Sequence, residues 1–355
     1  MERQQEASRA GKKMRTISLL DATLRDGGLG LEDAFQKGYS NVVFEAEDRV
    51  RILENLATAK IDIIEIGSIE KSDEDKKRFA IYKSIEQASR VITSSFPSVR
   101  FAALYRGPDT PIEEIPPYNA SLCELVRVIL RYSELRKSLD FCYALSCKGY
   151  KVCVQPMLTM RYTQDELHDI VSAANDMDAF ALYFVDSYGY MDGDDVKRFT
   201  DFYASHLNES VKIGFHAHNN MNLAFSNAKS FIDFSVGRDV ILDSCAVGLG
   251  QGAGNLQTEL IADFLVKRFG KGYSIDSILD VCEIVERLCP SGQCGYSVTC
   301  QIPAMHRAAY KYAFELRNKY KMSYRDINKV YRCMPYDLKQ RYTAENLSRA
   351  LAMAR

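Results

Sequence analysis

Short β-rich runs alternate with longer amphipathic segments through most of this chain, and the alternation repeats eight times. The runs fall at 17–21, 61–66, 99–105, 123–130, 151–158, 181–186, 211–215 and 240–245. Apolar residues crowd them, as in strands of a parallel sheet covered on both faces. Between them, 48–60, 72–88, 133–148, 222–234 and 256–269 carry apolar residues at helical spacing. Two further helices open at Thr163, with Glu166 completing a capping box, and at Asp192. Eight strands alternating with helical segments over about 250 residues predict an α/β fold, a (β/α)8 TIM barrel. A doubly wound open sheet is the competing layout. It usually holds fewer such units, and no Gly-x-Gly-x-x-Gly follows the first run.

Beyond Gly270 the strand signal stops, while 274–288, 303–319 and 323–331 read as helical. The expected organisation is a disordered polar tail at 1–15, a barrel at 16–270 and a C-terminal α-helical appendage at 271–355. No low-complexity linker separates the last two, so the appendage is expected to pack on the barrel.

Composition closes off several function classes. Among 355 residues, 46% hydrophobic and 26% charged is a balance that can bury a sizeable core. A formal net charge of −1 provides no global basic field for nucleic acid. No apolar run reaches membrane-spanning length and the first residues hold no secretory signal, so a cytoplasmic enzyme is expected. Ten cysteines without Cys-x-x-Cys spacing are then expected as reduced thiols. Cys282, Cys289, Cys294 and Cys300 fit no common zinc or iron–sulfur pattern.

In such a barrel, the loops after the strands converge on one mouth. Three are chemically loaded: Asp21-Ala-Thr-Leu-Arg-Asp-Gly-Gly28, His216-Ala-His218-Asn-Asn220 and Gly248-Leu-Gly-Gln-Gly-Ala-Gly-Asn255. His216 and His218 lie two apart, so on extended backbone both rings face the same way. They could simply cap the strand as polar residues. Their place at the mouth, opposite a carboxylate-bearing loop, favours a metal site with Asp26 as third ligand. Imidazole with carboxylate suits Mn²⁺, Mg²⁺, Co²⁺ or Zn²⁺. Arg25 supplies a fixed cation for a developing oxyanion, or else forms a self-contained ion pair with Asp26. Gly27 and Gly28 would let the backbone approach a ligand. The Gly-rich loop lacks the Gly-Lys-Ser/Thr ending of a phosphate cradle and better serves to deliver Asn255 to the metal. Glu65 and Gln155, on the second and fifth strands, point to the same mouth by position and are candidate substrate-binding residues.

Together these three motifs resemble the DRE-TIM metallolyase superfamily, the HMGL-like proteins that include 4-hydroxy-2-oxovalerate aldolase, hydroxymethylglutaryl-CoA lyase, isopropylmalate synthase and homocitrate synthase. The likeness covers the entire barrel and is strongest to the aldolase branch. It implies Asp26, His216 and His218 as metal ligands, with Asn255 completing the shell as in the lyases. It also implies Arg25 as the group steadying a pyruvate enolate, and Tyr296 as a proton donor reaching back from the appendage. The implied reaction is cleavage or formation of a 4-hydroxy-2-oxo acid through a metal-bound pyruvate enolate. Candidate partners that follow are a small 2-oxo acid substrate, an acylating aldehyde dehydrogenase and a second copy of the chain. One departure stands out: Leu29 occupies the position where the aldolases place a histidine base. Tyr105, Tyr188, Tyr296 and His306 are the candidates to replace it. The alternatives are a Claisen-type acyl-CoA synthase or lyase on the same barrel, or a catalytically impaired metal- or metabolite-binding homologue.

Overall fold

Strand β1 (Ile17–Asp21) pairs in parallel with β2 (Ile63–Ile69) on one side and with β9 (Val240–Ser244) on the other, so the sheet closes on itself. The computed structural model describes residues 15–289 and 295–354. The expected tail at 1–15 therefore falls almost wholly outside the described residues. From β2 the ring continues through β4 (Arg100–Tyr105), β5 (Leu125–Leu130), β6 (Lys151–Pro156), β7 (Ala181–Asp186) and β8 (Lys212–Ala217) back to β9, all parallel. This is the closed eight-stranded (β/α)8 barrel that the alternation predicts. A two-residue strand, β3 (Ile81–Tyr82), adds to β2 outside the ring.

Nine helices flank the barrel among the described residues. They are α1 (Gly28–Gln36), α2 (Ala46–Thr58), α3 (Ile85–Ser89), α4 (Leu135–Cys147), α5 (Gln164–Asp176), α6 (Gly193–His206), α7 (Ala224–Phe234), α8 (Thr258–Phe269) and α9 (Ile275–Leu288). Each longer one buries a single stripe, as α2 does with Ile52, Leu53, Leu56 and Ala57. The capping box holds: Thr163 Oγ1 accepts from Glu166 N, and Thr163 N donates to Glu166 Oε2 at 2.8 Å.

Two expected helices are replaced. Residues 72–88 form a 3₁₀ turn, β3 and the short α3, because Phe79, Ala80, Ile81 and Tyr82 are consecutively buried and Ala80 takes a left-handed conformation (φ 51°). The left-handed Ala80 interrupts helical backbone, and Ile81 and Tyr82 pair with Ser68 and Ile69 of β2 instead. The expected 303–319 helix divides into α10 (Val298–Met305) and α11 (Lys311–Asn318), broken where Arg307 adopts φ 52°. α12 (Tyr324–Cys333), α13 (Tyr336–Gln340) and α14 (Ala344–Met353) complete the appendage. The apolar clusters divide after α9, whose Ile278, Val281, Ile284 and Val285 share the barrel's core. Tyr312, Leu316, Ile327, Val330, Tyr331 and Leu347 form a separate core beyond it.

Eight described cysteines are free, but Cys289 is disulfide-bonded, which corrects the expectation of reduced thiols throughout. Cys294 lies outside the described residues. No described helix is long and apolar enough to cross a membrane. Thr163→Ala removes the oxygen that caps α5. It should lower the unfolding free energy by about 1 kcal/mol in urea denaturation, with the m-value unchanged.

Candidate active site

After β1 the chain enters a π-helical turn (Thr23–Gly27) that runs on into α1 and buries Arg25 and Asp26. The turn is stitched to the far end of the barrel. Ala22 N donates to Ser244 O at 2.7 Å, and Ala246 N donates to Thr23 Oγ1 at 2.8 Å. Gly28 serves this packing rather than approach to a ligand, since a Cβ there would lie 2.0 Å from Phe79 O.

His216 ends within β8 and His218 follows it, their ring centroids 5.0 Å apart. Across the mouth, Asn255 pairs with His218 in an isolated bridge and donates from Nδ2 to Asp26 Oδ2 at 2.6 Å. Asp26, His216 and His218 each bring one ligand atom within 4.8 Å of the others, the one such group among the described residues. Gly250 closes over them: a Cβ there would meet Asn255 Nδ2 at 2.1 Å and Asp26 Oδ2 at 2.5 Å.

The donor set fits a divalent cation. Asn255 Oδ1 is buried and has no hydrogen-bond partner, an acceptor left free beside the triad. Burial pushes His218 down to about 4 against the pull of Asp26, with His216 and Arg25 assisting, so its imidazole is neutral at pH 7. Burial raises Asp26, but Arg25, His218, His216 and the Asn255 bond outweigh it and hold the carboxyl below its ordinary range. One carboxylate, two imidazoles and an amide oxygen make a donor set suited to Mn²⁺-type ions.

Behind the triad runs a buried chain of charge. Arg25 donates from Nη1 to Asp26 Oδ1 (2.5 Å) and from Nε to Glu65 Oε2 (2.7 Å). Arg127 Nη1 donates to the same Glu65 oxygen at 2.6 Å, and its Nη2 bonds Asp243 Oδ2. That oxygen also binds His216 Nδ1 at 2.9 Å. With its amide oriented to put oxygen rather than NH2 toward the donors, Gln155 accepts from Arg127 Nη2 and Nε at 2.9 and 3.1 Å. Glu65 and Gln155, expected to face substrate, are thus bonded to guanidinium groups inside the barrel. Sequence reasoning missed Arg127 and Asp243. The available signal was a charged residue inside each of the apolar runs Leu-Val-Arg-Val-Ile-Leu and Val-Ile-Leu-Asp-Ser.

Tyr296, expected to reach into the mouth, stands 57% exposed just before the Ser297 cap of α10. Tyr310, at the start of α11, reaches loop Gly248–Asn255 from the appendage. It is buried and donates to Gln251 Oε1 at 2.9 Å. Burial, with the negative charges of Asp33 and Asp26, pushes its phenol well above the ordinary value, so it keeps its proton. Leu29 is buried in the barrel's apolar cluster. Tyr105 packs edge-on to Phe141 of α4, Tyr188 donates to Gln340 O, and His306 pairs with Asn328.

The family model described as HMGL-like matches residues 16–287. The chain belongs to the HMGL-like family. Among its HMGL-like relatives, the oxaloacetate decarboxylase of Mycobacterium tuberculosis is 27% identical over 250 residues, 70% of each chain. The 4-hydroxy-2-oxovalerate aldolase of Carboxydothermus hydrogenoformans is 29% identical over 277 residues, 76% of each chain. The crystal structure of hydroxymethylglutaryl-CoA lyase from Pseudomonas aeruginosa superposes with a TM-score of 0.60 at 16% identity, covering 79% of this chain and 95% of that one. Membership places the chain among carbon–carbon lyases, as the three motifs led one to expect.

One titration at the mouth is testable alone. Burial pushes Asp186, at the end of β7, up to about 7, against the N–H donors of Tyr190 and Met191. A raised carboxyl favours folding while protonated, so this contribution is lost as pH climbs from 3.8 to about 7. His218, being lowered, acts in the opposite sense over part of that window. The stability difference between wild type and Asp186→Asn isolates Asp186. It should fall steadily between pH 4 and pH 7 in urea titrations, and a flat difference would refute the raised value.

Proposed function

We propose that this HMGL-like protein is a divalent-metal-dependent lyase that generates or consumes the enolate of pyruvate from a small 2-oxo acid, with a 4-hydroxy-2-oxo acid as the aldolase-type substrate. The observation that carries this reading is the Asp26–His216–His218 triad beside a buried arginine and an unpartnered Asn255 oxygen. A divalent cation held by those residues, Mn²⁺ or Mg²⁺ foremost, would supply Lewis acidity toward the carbonyl and carboxylate oxygens of the acid.

The remaining work falls to the chain's own groups. Arg25 has its Nε and Nη1 committed to carboxylates, which fixes the guanidinium plane and leaves Nη2 as the edge for an enolate oxygen. Tyr310 holds its proton at neutral pH and can deliver it to the enolate carbon, giving pyruvate. Retro-aldol cleavage additionally requires a base for the 4-hydroxyl proton, and Leu29 offers none.

That last observation favours a second reading. In decarboxylation of a 2-oxo diacid, the bond to the distal carboxylate breaks, carbon dioxide leaves and the electron pair remains as the same enolate. No hydroxyl proton has to be removed. One relative carries the name oxaloacetate decarboxylase, in accord with this reading.

Both readings share enolate chemistry and part at the substrate. The Mn²⁺-loaded protein should exchange the methyl protons of pyruvate into deuterated water, followed by NMR, and His216→Ala should abolish the exchange while the fold is retained. Tyr310→Phe should slow exchange by about 10²- to 10⁴-fold without weakening metal binding. Turnover of oxaloacetate but not of 4-hydroxy-2-oxovalerate would select the decarboxylase, and the reverse the aldolase. Neither exchange nor turnover with Mn²⁺, Mg²⁺, Co²⁺ or Zn²⁺ would end the proposal.

A further inference from the structure

We infer that Arg127 is a positioning residue that sets both kinds of ligand in the centre, the Asp26 carboxylate and the His216 imidazole, through two separate arms. The side chain projects from the middle of β5 and is 0% exposed. One arm runs Arg127 Nη1, Glu65 Oε2, Arg25 Nε, and then Arg25 Nη1 to Asp26 Oδ1, with links of 2.6, 2.7 and 2.5 Å. The other runs Arg127 Nη2 to Asp243 Oδ2 and on to His216 Nδ1. The two arms leave the same guanidinium and arrive at two different members of the triad.

Geometry makes this more than an internal ion pair. The guanidinium is planar and its donors point in fixed directions, so binding Glu65 and Asp243 together fixes the angle between the arms. Its plane is held in turn by the Gln155 amide oxygen and by the Tyr183 ring, 4.7 Å from the guanidinium carbon. Gly214 of β8 gives that ring its seat, since a Cβ there would lie 2.4 Å from three ring carbons. Asp243 can only accept, so His216 must present Nδ1–H to it and leaves the Nε2 lone pair for an ion. Arg25, by contrast, acts on Asp26 directly and has an edge left for substrate. Arg127 is wholly buried and bonded to Glu65 and Asp243 rather than to a member of the triad, so any effect it has on the triad travels through those carboxylates.

The whole chain of charge also has a sign. Asp26, Glu65 and Asp243 outnumber Arg25 and Arg127 by one negative charge in a region closed to water. Removing Arg127 would leave the interior still more negative and both arms free to turn. An arginine serving only to hold the barrel together would affect stability and nothing further.

The inference rests on the reading that the triad holds a divalent cation, and the test separates the two. The full chain would be studied as wild type, Asp243→Asn, Arg127→Lys and, as a remote control, Arg100→Gln, which breaks an ion pair with Glu124 at the opposite end of β4. Mn²⁺ affinity is read by electron paramagnetic resonance, Co²⁺ coordination by its visible spectrum and fold by circular dichroism. The His216 tautomer is read by ¹⁵N NMR of histidine-labelled, metal-free protein. Asp243→Asn and Arg127→Lys should weaken Mn²⁺ binding by about 10- to 100-fold and alter the Co²⁺ spectrum, while Arg100→Gln does neither. Wild-type His216 should carry its proton on Nδ1, and Asp243→Asn should mix the tautomers. Should Arg127→Lys fail to fold, Asp243→Asn and the tautomer decide. Folded variants with wild-type affinity and spectrum, or a wild-type His216 protonated on Nε2, overturn the inference. A wild type that binds no divalent ion yet keeps Nδ1–H would sink the functional reading and support the positioning of His216 by Asp243.

Discussion

A guanidinium can sit inside a closed barrel only if carboxylates follow it there, and Arg127 has two, Glu65 and Asp243. Isolated, each ion would cost several kcal/mol to bury, and mutual attraction offsets this only when the geometry is good and remaining donors are satisfied. Here one carboxylate oxygen takes two guanidiniums, and another takes a guanidinium and an imidazole. The barrel interior is therefore two-zoned. Leu20, Ile63, Ala102, Leu125, Ala181 and Ile241 make an ordinary apolar filling, and the charged layer lies between it and the triad. The strands whose apolar residues close the barrel are the strands that carry the ions.

The appendage is tied to the loops around the mouth. Lys311 pairs with Asp33 of α1 at 2.7 Å, and Tyr310 beside it bonds Gln251 in the loop over the triad. Tyr188, from the loop after β7, reaches up to Gln340 O in the appendage. Three strand-end segments are thus tied to one helical unit by polar contacts, while apolar packing keeps that unit internally rigid around Tyr312 and Tyr331. Burial of the charged side chains behind the mouth strengthens the electrostatic interactions among them.

The barrel was legible because eight buried strands must be written as apolar runs, and β7 lies where its run Ala-Leu-Tyr-Phe-Val-Asp lies. The meeting of Asp26, His216 and His218 was legible because strand ends in a barrel share a mouth, so the two histidines could be set opposite the aspartate without knowing any loop. What could not be read depends on packing between distant segments. Phe79 to Tyr82 follows a charged stretch and joins β2 only because β2 exposes an edge there. α1 begins with glycines that sequence propensity disfavours in a helix, and close contact with Phe79 and Gly250 explains them. Tyr310 and Tyr296 are chemically equivalent in the sequence. Only the break at Arg307, which redirects α11, decides that Tyr310 meets the barrel.

Closure of the ring through β1 and β9 has a consequence for how the molecule comes into being. Asp26 and Asn255 touch across 229 positions of chain, and β1 gains its second neighbour only from β9. During synthesis, the first strand and its aspartate must therefore wait for nearly the whole barrel to be made before they meet their partners. Contacts of such long sequence separation fold slowly, because loop-closure entropy is lost before they form. Asp26, His216, His218 and Asn255 are in this sense brought together only when the barrel is shut.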